Sequence, residues 1–285
     1  MHFLALLLSS LATTAAAAGA PPPPDLAQVL RKIAESQEQS IEARSRVVYT
    51  QYIHAKLHRA NGKIAREEKR TYTVTPTPKG FQRHLARFEG VYADGSQLIP
   101  FYEPRWKHKG LDLDAELMDD LINDWTGNAE SRDGIDRELF PMTAAHQQKY
   151  KFTYAGTARQ GAENRHRIAY EPLSKRSAPW KGDIFVEPES LYPTSLNSTF
   201  AYHIPMAVKI IFGISLRQVG FSVNYARAID DLWLPVTAGT EFHWRVLFGY
   251  ARTLTLSLKN SEFRRASAES TIRFGEPPAK EAAQP

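Results

Sequence analysis

Alternation of apolar and polar residues with a period of two runs through most of this chain, and it dictates an antiparallel sheet. Leu254, Leu256 and Leu258 alternate with Thr253, Thr255, Ser257 and Lys259, so a strand here hides one face and wets the other. Earlier, Val47, Tyr49, Ile53 and Leu57 take one side of an extended segment, and Thr50, His54, Lys56 and His58 take the other. Asn61-Gly62 then supplies a tight turn, which makes Ile64 to Thr75 the returning strand of a hairpin and Phe81 to Tyr92 a third strand. Strands are predicted again at Tyr150–Ala155, Arg165–Glu171, Gly182–Glu187, Tyr192–Tyr202, Phe221–Ile229, Thr240–Phe248, Tyr250–Lys259 and Thr271–Phe274. About ten or eleven strands in one meander exceed what a flat twisted sheet holds, so the expected fold is mainly β, α+β, with a strongly curved, unclosed antiparallel barrel.

Two helical patterns interrupt the strands. Asp25 stands at an N-cap position before Leu26, Val29, Leu30 and Ile33, predicting a helix to about Ala43. From Leu111 to Trp125, Leu113, Leu117, Leu121 and Trp125 repeat every four residues with Met118 and Ile122 beside them. Asp112, Asp114, Glu116, Asp119, Asp120 and Asp124 fill the other faces, an acidic run expected to be a solvated helix surface. Both apolar stripes need a partner, and the hollow of a half-barrel offers one.

The N-terminus has the pattern of an export signal: an apolar run from Phe3 to Leu11, then Ala12-Thr13-Thr14-Ala15-Ala16-Ala17-Ala18, with cleavage expected after Ala18. The expected organisation is a signal peptide at 1–18, a Pro-rich spacer at 19–24, a single half-barrel domain at 25–275 and a disordered tail at 276–285. The chain contains no cysteine, so disulfides, thiol nucleophiles, Cys-based zinc sites and lipidation at a lipobox cysteine are excluded. A soluble periplasmic protein without a transmembrane anchor in its mature part is expected. The formal charge of +5, from 36 Lys+Arg against 31 Asp+Glu, is not gathered into a basic cluster, so no nucleic acid partner is expected.

No motif of catalysis stands out. His54 and His58 share the spacing of a zinc-binding helix, but on a strand they lie about 13 Å apart. Gly-x-Ser-x-Gly, HExxH, GxGxxG and Walker A patterns are missing, so no catalytic residue, metal or cofactor is assigned. Asp94-Gly95-Ser96 reads as a turn. The stretch from His203 to Leu216 is too apolar for an ordinary surface loop and reads either as a closure of the core or as a flap over a lipid-sized cavity.

These features together resemble the LolA/LolB-like periplasmic carrier fold and its outer-membrane lipoprotein-sorting relatives. The resemblance is carried by the first helix leading into Val47–Leu57, by Lys181-Gly182-Asp183-Ile184-Phe185-Val186-Glu187-Pro188-Glu189 with Leu191-Tyr192-Pro193-Thr194, and by Asp231-Leu232-Trp233-Leu234-Pro235-Val236. It implies an unclosed β-barrel covered by helices, whose hollow accepts the acyl chain of a lipid or lipoprotein, with a role in outer membrane biogenesis. The strand faces supply candidate wall residues Tyr49, Ile53, Leu57, Phe242, Trp244, Leu254, Leu256 and Leu258, with Ile210, Ile211 and Phe212 from the flap. A non-enzymatic carrier is the first expectation. An envelope regulatory or structural protein docking a protein partner is the second, and a hydrolase the third.

Overall fold

The computed structural model describes residues 23–77, 80–108, 112–126, 142–174, 178, 180–201, 215–245 and 250–266. The expected leader, most of the Pro-rich spacer, the strand at Thr271–Phe274 and the C-terminal tail lie outside the described residues.

Helix α1 (Leu26–Arg44) opens the domain, its N-cap Asp25 accepting a hydrogen bond from the Ala27 amide at 3.0 Å. Strands β1 (Val47–Arg59), β2 (Ile64–Thr77), β3 (Gly80–Asp94) and β4 (Gln97–Phe101) follow as a meander. The β1–β2 loop is longer than a two-residue Asn-Gly turn: Gly62 has φ +78° but Asn61 has no positive φ, and the Asn61 side chain accepts from the Lys63 amide at 3.1 Å. Next come α2 (Leu113–Thr126) and the short α3 (Ala144–Gln147). A second meander then runs through β5 (Tyr150–Gln160), β6 (Glu163–Pro172), β7 (Trp180–Val186), β8 (Pro193–Phe200), β9 (Ser215–Ile229), β10 (Leu232–Arg245) and β11 (Ala251–Arg265).

All eleven strands belong to one antiparallel sheet in the order β4-β3-β2-β1-β11-β10-β9-β8-β7-β6-β5. The sheet is an unclosed barrel: β4 and β5 are its two edges and do not pair with each other. This departs from a single continuous meander. The first four strands grow outward from β1; the chain then passes to the far edge and returns until β11 pairs with β1. The β4–β5 connection carries α2, whose apolar stripe of Met118, Ile122 and Trp125 joins Val29 and Ile33 of α1 in the same core as the inward side chains of the sheet. Two elements, α3 and β4, are absent from the sequence expectation. The second is five residues long, contains Pro100 and forms an edge, where a missing backbone donor is tolerated.

The inward rows can be followed across the sheet by register. Arg70 lies beside Ile53, which faces Leu258, then Ala238, Val223, Leu196, Ile184, Ile168 and Tyr154. From Ile53 onward this row is apolar over eight strands. The next row runs from Glu68 through Ala55, Leu256, Thr240, Phe221, Ser198 and Gly182 to Tyr170. Gly182 is required here by close approach: a Cβ at this position would lie 1.8 Å from the backbone oxygen of Asn197. Gly182→Ala is therefore expected to force β7 from β8 and to cost about 1–3 kcal/mol. Gly239→Ala, whose added Cβ would meet the Leu256 oxygen at an ordinary 3.5 Å, is the control and leaves the urea midpoint nearly unchanged.

Candidate ligand-binding face

The concave face is built by the alternation read from the sequence. Tyr49, Ile53 and Leu57 of β1 and Leu254, Leu256 and Leu258 of β11 all point inward and are 0–3% exposed. Register joins them in pairs, Leu57 with Leu254 and Ile53 with Leu258, while Leu256 faces Ala55. Phe242 of β10 sits opposite Leu254 and is half-buried against the same cluster. Trp244 occupies the β10 position opposite Arg252. Ile210, Ile211 and Phe212, the proposed flap, lie outside the described residues. The wall also extends further than the sequence reading reached, into Ala238, Val223, Leu196, Ile184 and Ile168. Alternation within each strand shows which face is apolar, but only register places them in one row with Ile53.

Beside this apolar wall the inner face of β2 is charged. Arg66, Glu68 and Arg70 alternate inward with Tyr72 and Val74, and all five are buried. Arg66 Nε donates to Glu68 Oε1 at 2.7 Å and Arg66 Nη2 to the Trp106 carbonyl at 2.8 Å. Arg70 Nε donates to Glu68 Oε2 at 2.8 Å and Arg70 Nη2 to Asp119 Oδ1. Burial alone would lower the pKa of Arg70, but the Glu68 and Asp119 carboxylates outweigh it and raise it. The Arg66 guanidinium also lies 4.3 Å from the centre of the Phe101 ring.

These arginines correct the expectation of a solvated acidic face on α2. Asp119 pairs with Arg70, Asp112 with Arg66 at 3.4 Å, and Asp114 accepts from Arg252 Nε at 2.8 Å and Nη2 at 3.0 Å. The Tyr250 hydroxyl donates to Asp114 as well, and burial together with that carboxylate raises its pKa. Asp112 has a second task, accepting from the Ala115 amide at 2.9 Å at the start of the helix. So three of the six acids hold α2 to the sheet. At the other end of α2, Arg83 donates to the Thr126 hydroxyl and lies over Tyr72 at 4.8 Å.

Three cavities among the described residues are lined by none of Tyr49, Ile53, Leu57, Phe242, Leu254, Leu256 and Leu258. One of about 270 Å³ is lined by Tyr92, His108, Asp112, Asp114, Tyr250 and Arg252 at the start of α2. Another, of about 390 Å³, lies on β5–β8 among Lys151, Arg167, Glu171, Lys181 and Asp183. The third, about 250 Å³, lies by Phe101, Pro100 and Tyr102. In the described conformation the wall itself is covered by α1 and α2.

His54 and His58 lie on β1, with His54 Nε2 2.6 Å from Glu67 Oε1. Among the described residues no group of three or more His, Asp or Glu could hold a metal ion. His166, hydrogen-bonded to the Tyr154 hydroxyl, is held below its usual value near 6.5 by burial. A depressed histidine stabilises the fold above its unfolded value, and the contribution is lost as pH falls through that value toward the lower folded one. Stability measured from pH 7 down to pH 5 should therefore decline less steeply in His166→Gln than in the parent protein.

The chain is similar to LolA superfamily structures. A LolA superfamily protein from Nitrosomonas europaea matches with a TM-score of 0.36 and 8% identity, over 85% of this chain and 93% of that one. An outer membrane lipoprotein-sorting protein domain from Vibrio parahaemolyticus matches with a TM-score of 0.36 and 9% identity, over 84% and 94%. A DUF1329 family protein from Desulfovibrio piger matches with a TM-score of 0.40 and 9% identity, over 86% and 95%. No protein-family model and no curated protein matches the chain. At these identities and TM-scores the likeness carries no residue-by-residue correspondence. No helix among the described residues is long and apolar enough to cross a membrane.

Proposed function

We propose that this protein is a non-enzymatic periplasmic binder of acyl chains, carrying a lipid or a lipidated protein beneath its helices. The observation that carries the reading is the apolar row from Ile53 to Tyr154, continuous over eight strands of an open sheet and covered by two helices. Magnitudes allow a ligand to replace a helix there. A roughly 14-carbon tail gains about 0.8 kcal/mol per methylene on leaving water, on the order of 10 kcal/mol before ordering costs. Met118, Ile122 and Trp125 of α2 gain about 1.5–3 kcal/mol each by the same burial, so the apolar contacts exchange at comparable magnitude, and the ion pairs of Asp112, Asp114 and Asp119 are the further cost of lifting the helix. An acyl chain on this wall displaces α2 and needs no covalent or metal chemistry.

The test is a titration of the purified protein with myristate, followed by hydrogen exchange. One saturable site is expected, with faster exchange in 113–126 when it is filled. Absence of saturable binding, or a filled site with α2 as protected as before, contradicts the reading.

A second reading, docking of an envelope protein, is favoured by one feature. At edge strand β4, Leu98 is exposed and Tyr102 just beyond it is 78% exposed, beside the groove formed by Pro100 and Phe101. A stoichiometric protein partner released by Tyr102→Ser would favour this reading over the first.

A further inference from the structure

The inward face of α1 changes character along its length. Val29 and Ile33 are apolar, whereas Gln37, Ser40 and Arg44, on the same stripe, are polar and 1–2% exposed. The sheet changes in step: two residues along each strand from the apolar row, about 7 Å away, Tyr72, Gln51 and Asn260 form a polar row. Gln51 Nε2 donates to Asn260 Oδ1 at 3.4 Å, and Asn260 Nδ2 to the Pro235 carbonyl at 3.1 Å. Tyr225, on β9, is held protonated by burial, and its hydroxyl donates to Gln37 Oε1 at 3.5 Å. That bond leaves the amide end of Gln37 over. Gln37 Nε2 and Ser40 Oγ have no hydrogen-bond partner among the described residues. An orphaned donor at such burial is costly, and these two stand one turn apart on one helix face.

We infer that Gln37 and Ser40 form the head-group site of the acyl ligand, donating hydrogen bonds to its carbonyl oxygen while the tail runs along the Ile53–Leu258–Ala238–Val223 row. The inference rests on the acyl-binding reading and narrows it. The ligand is an acyl group that keeps a carbonyl acceptor at its head, either the carboxylate of a free fatty acid or the amide of an acylated protein. A chain whose head only donates leaves both groups unpaired and places its charge near Arg44.

Three probes with the same tail separate the possibilities: dodecanoate, dodecanamide and dodecylammonium, each titrated against the parent protein and against Gln37→Leu/Ser40→Ala. Dodecanoate and dodecanamide are both expected to bind about tenfold or more tighter than dodecylammonium, the scale of one hydrogen bond completed in a buried site. In the double variant dodecanamide should fall to the affinity of dodecylammonium. Dodecanoate tighter than dodecanamide, with both tighter than dodecylammonium, marks the free acid as the source; dodecanamide as weak as dodecylammonium overturns the hydrogen-bonding role, because charge then suffices. Equal binding of all three overturns the head-group site but leaves acyl binding standing. Binding of none overturns acyl binding itself.

If the double variant fails to fold, the ¹³C shift of carbonyl-labelled dodecanamide bound to Ser40→Ala replaces it. A shift unchanged from the parent complex overturns the inference. So does a ligand-loaded crystal structure in which a lone water bridges Gln37 and Ser40.

Discussion

Glu68→Ala is expected to destabilise the protein by about 3–5 kcal/mol, read as a lower urea midpoint with an unchanged slope. Glu68 is 1% exposed and shared by two buried guanidiniums, one oxygen serving Arg66 and the other Arg70. Removing it leaves two desolvated cations short of their central acceptor. Asp112 and Asp119 still reach them, but from α2, so the helix would be asked to hold charges that β2 now fails to neutralise. Phe101 adds to the packing here, since its ring fills the space over Gly90, the β3 neighbour of Glu68. The effect belongs to the imbalance and not to the loss of charge as such. Arg66→Met/Glu68→Leu/Arg70→Met combined with Asp112→Asn and Asp119→Asn, which removes all five charges of the network and nearly keeps their volume, should recover most of the stability, because buried ion pairs add little net to a well-packed core. A Glu68→Ala midpoint within about 1 kcal/mol of the parent would mean that the network is already open to water.

Leu256→Ala carries the second large effect, a loss of about 2–5 kcal/mol. Leu256 faces Ala55 on one side and Thr240 on the other, so the truncation leaves a void with small neighbours that cannot fill it. If the wall is a ligand surface, this cavity is also extra ligand volume. Saturating myristate should then raise the melting temperature of Leu256→Ala by more than it raises that of the parent, because a ligand that binds only the folded state stabilises it by mass action. A truncation of similar cost beneath the outer aromatic cluster, Phe101→Ala, should show no such rescue. Equal rescue in both variants would place the ligand elsewhere.

The strands themselves were legible because their alternation is local. The series Leu254, Thr255, Leu256, Ser257, Leu258 needs no tertiary knowledge to read, and its leucines fall inward as the alternation predicts. The stripe of α1 was equally local, whereas on α2 the buried line is Ala115, Met118, Ile122 and Trp125, and Leu113, which the four-residue repeat placed on the stripe, is exposed. Three things were not local. Pairing of β1 with β11 joins residues some two hundred positions apart, and nothing in either strand announces its partner. Arg66, Glu68 and Arg70 carry period two as cleanly as any leucine series, but charge at alternate positions looks like a wet face until opposite charges arrive from another element. The acids of α2 are those charges, and each half of the network looked solvated because the other half lay elsewhere in the chain. Of the candidate wall, Tyr49, Ile53, Leu57, Leu254, Leu256 and Leu258 were found from alternation and do converge on one buried face, whereas Val223, Leu196, Ile184 and Ile168 join it only through register.

Native mass spectrometry of protein released gently from its own cells tests the central claim most directly. The acyl-binding account predicts a chain carrying one additional mass in the range of a lipid or an acylated polypeptide, lost on mild activation and absent from a variant whose wall is blocked by Ala55→Phe. A bare chain, or one bound only to a polypeptide without an acyl group, would contradict it.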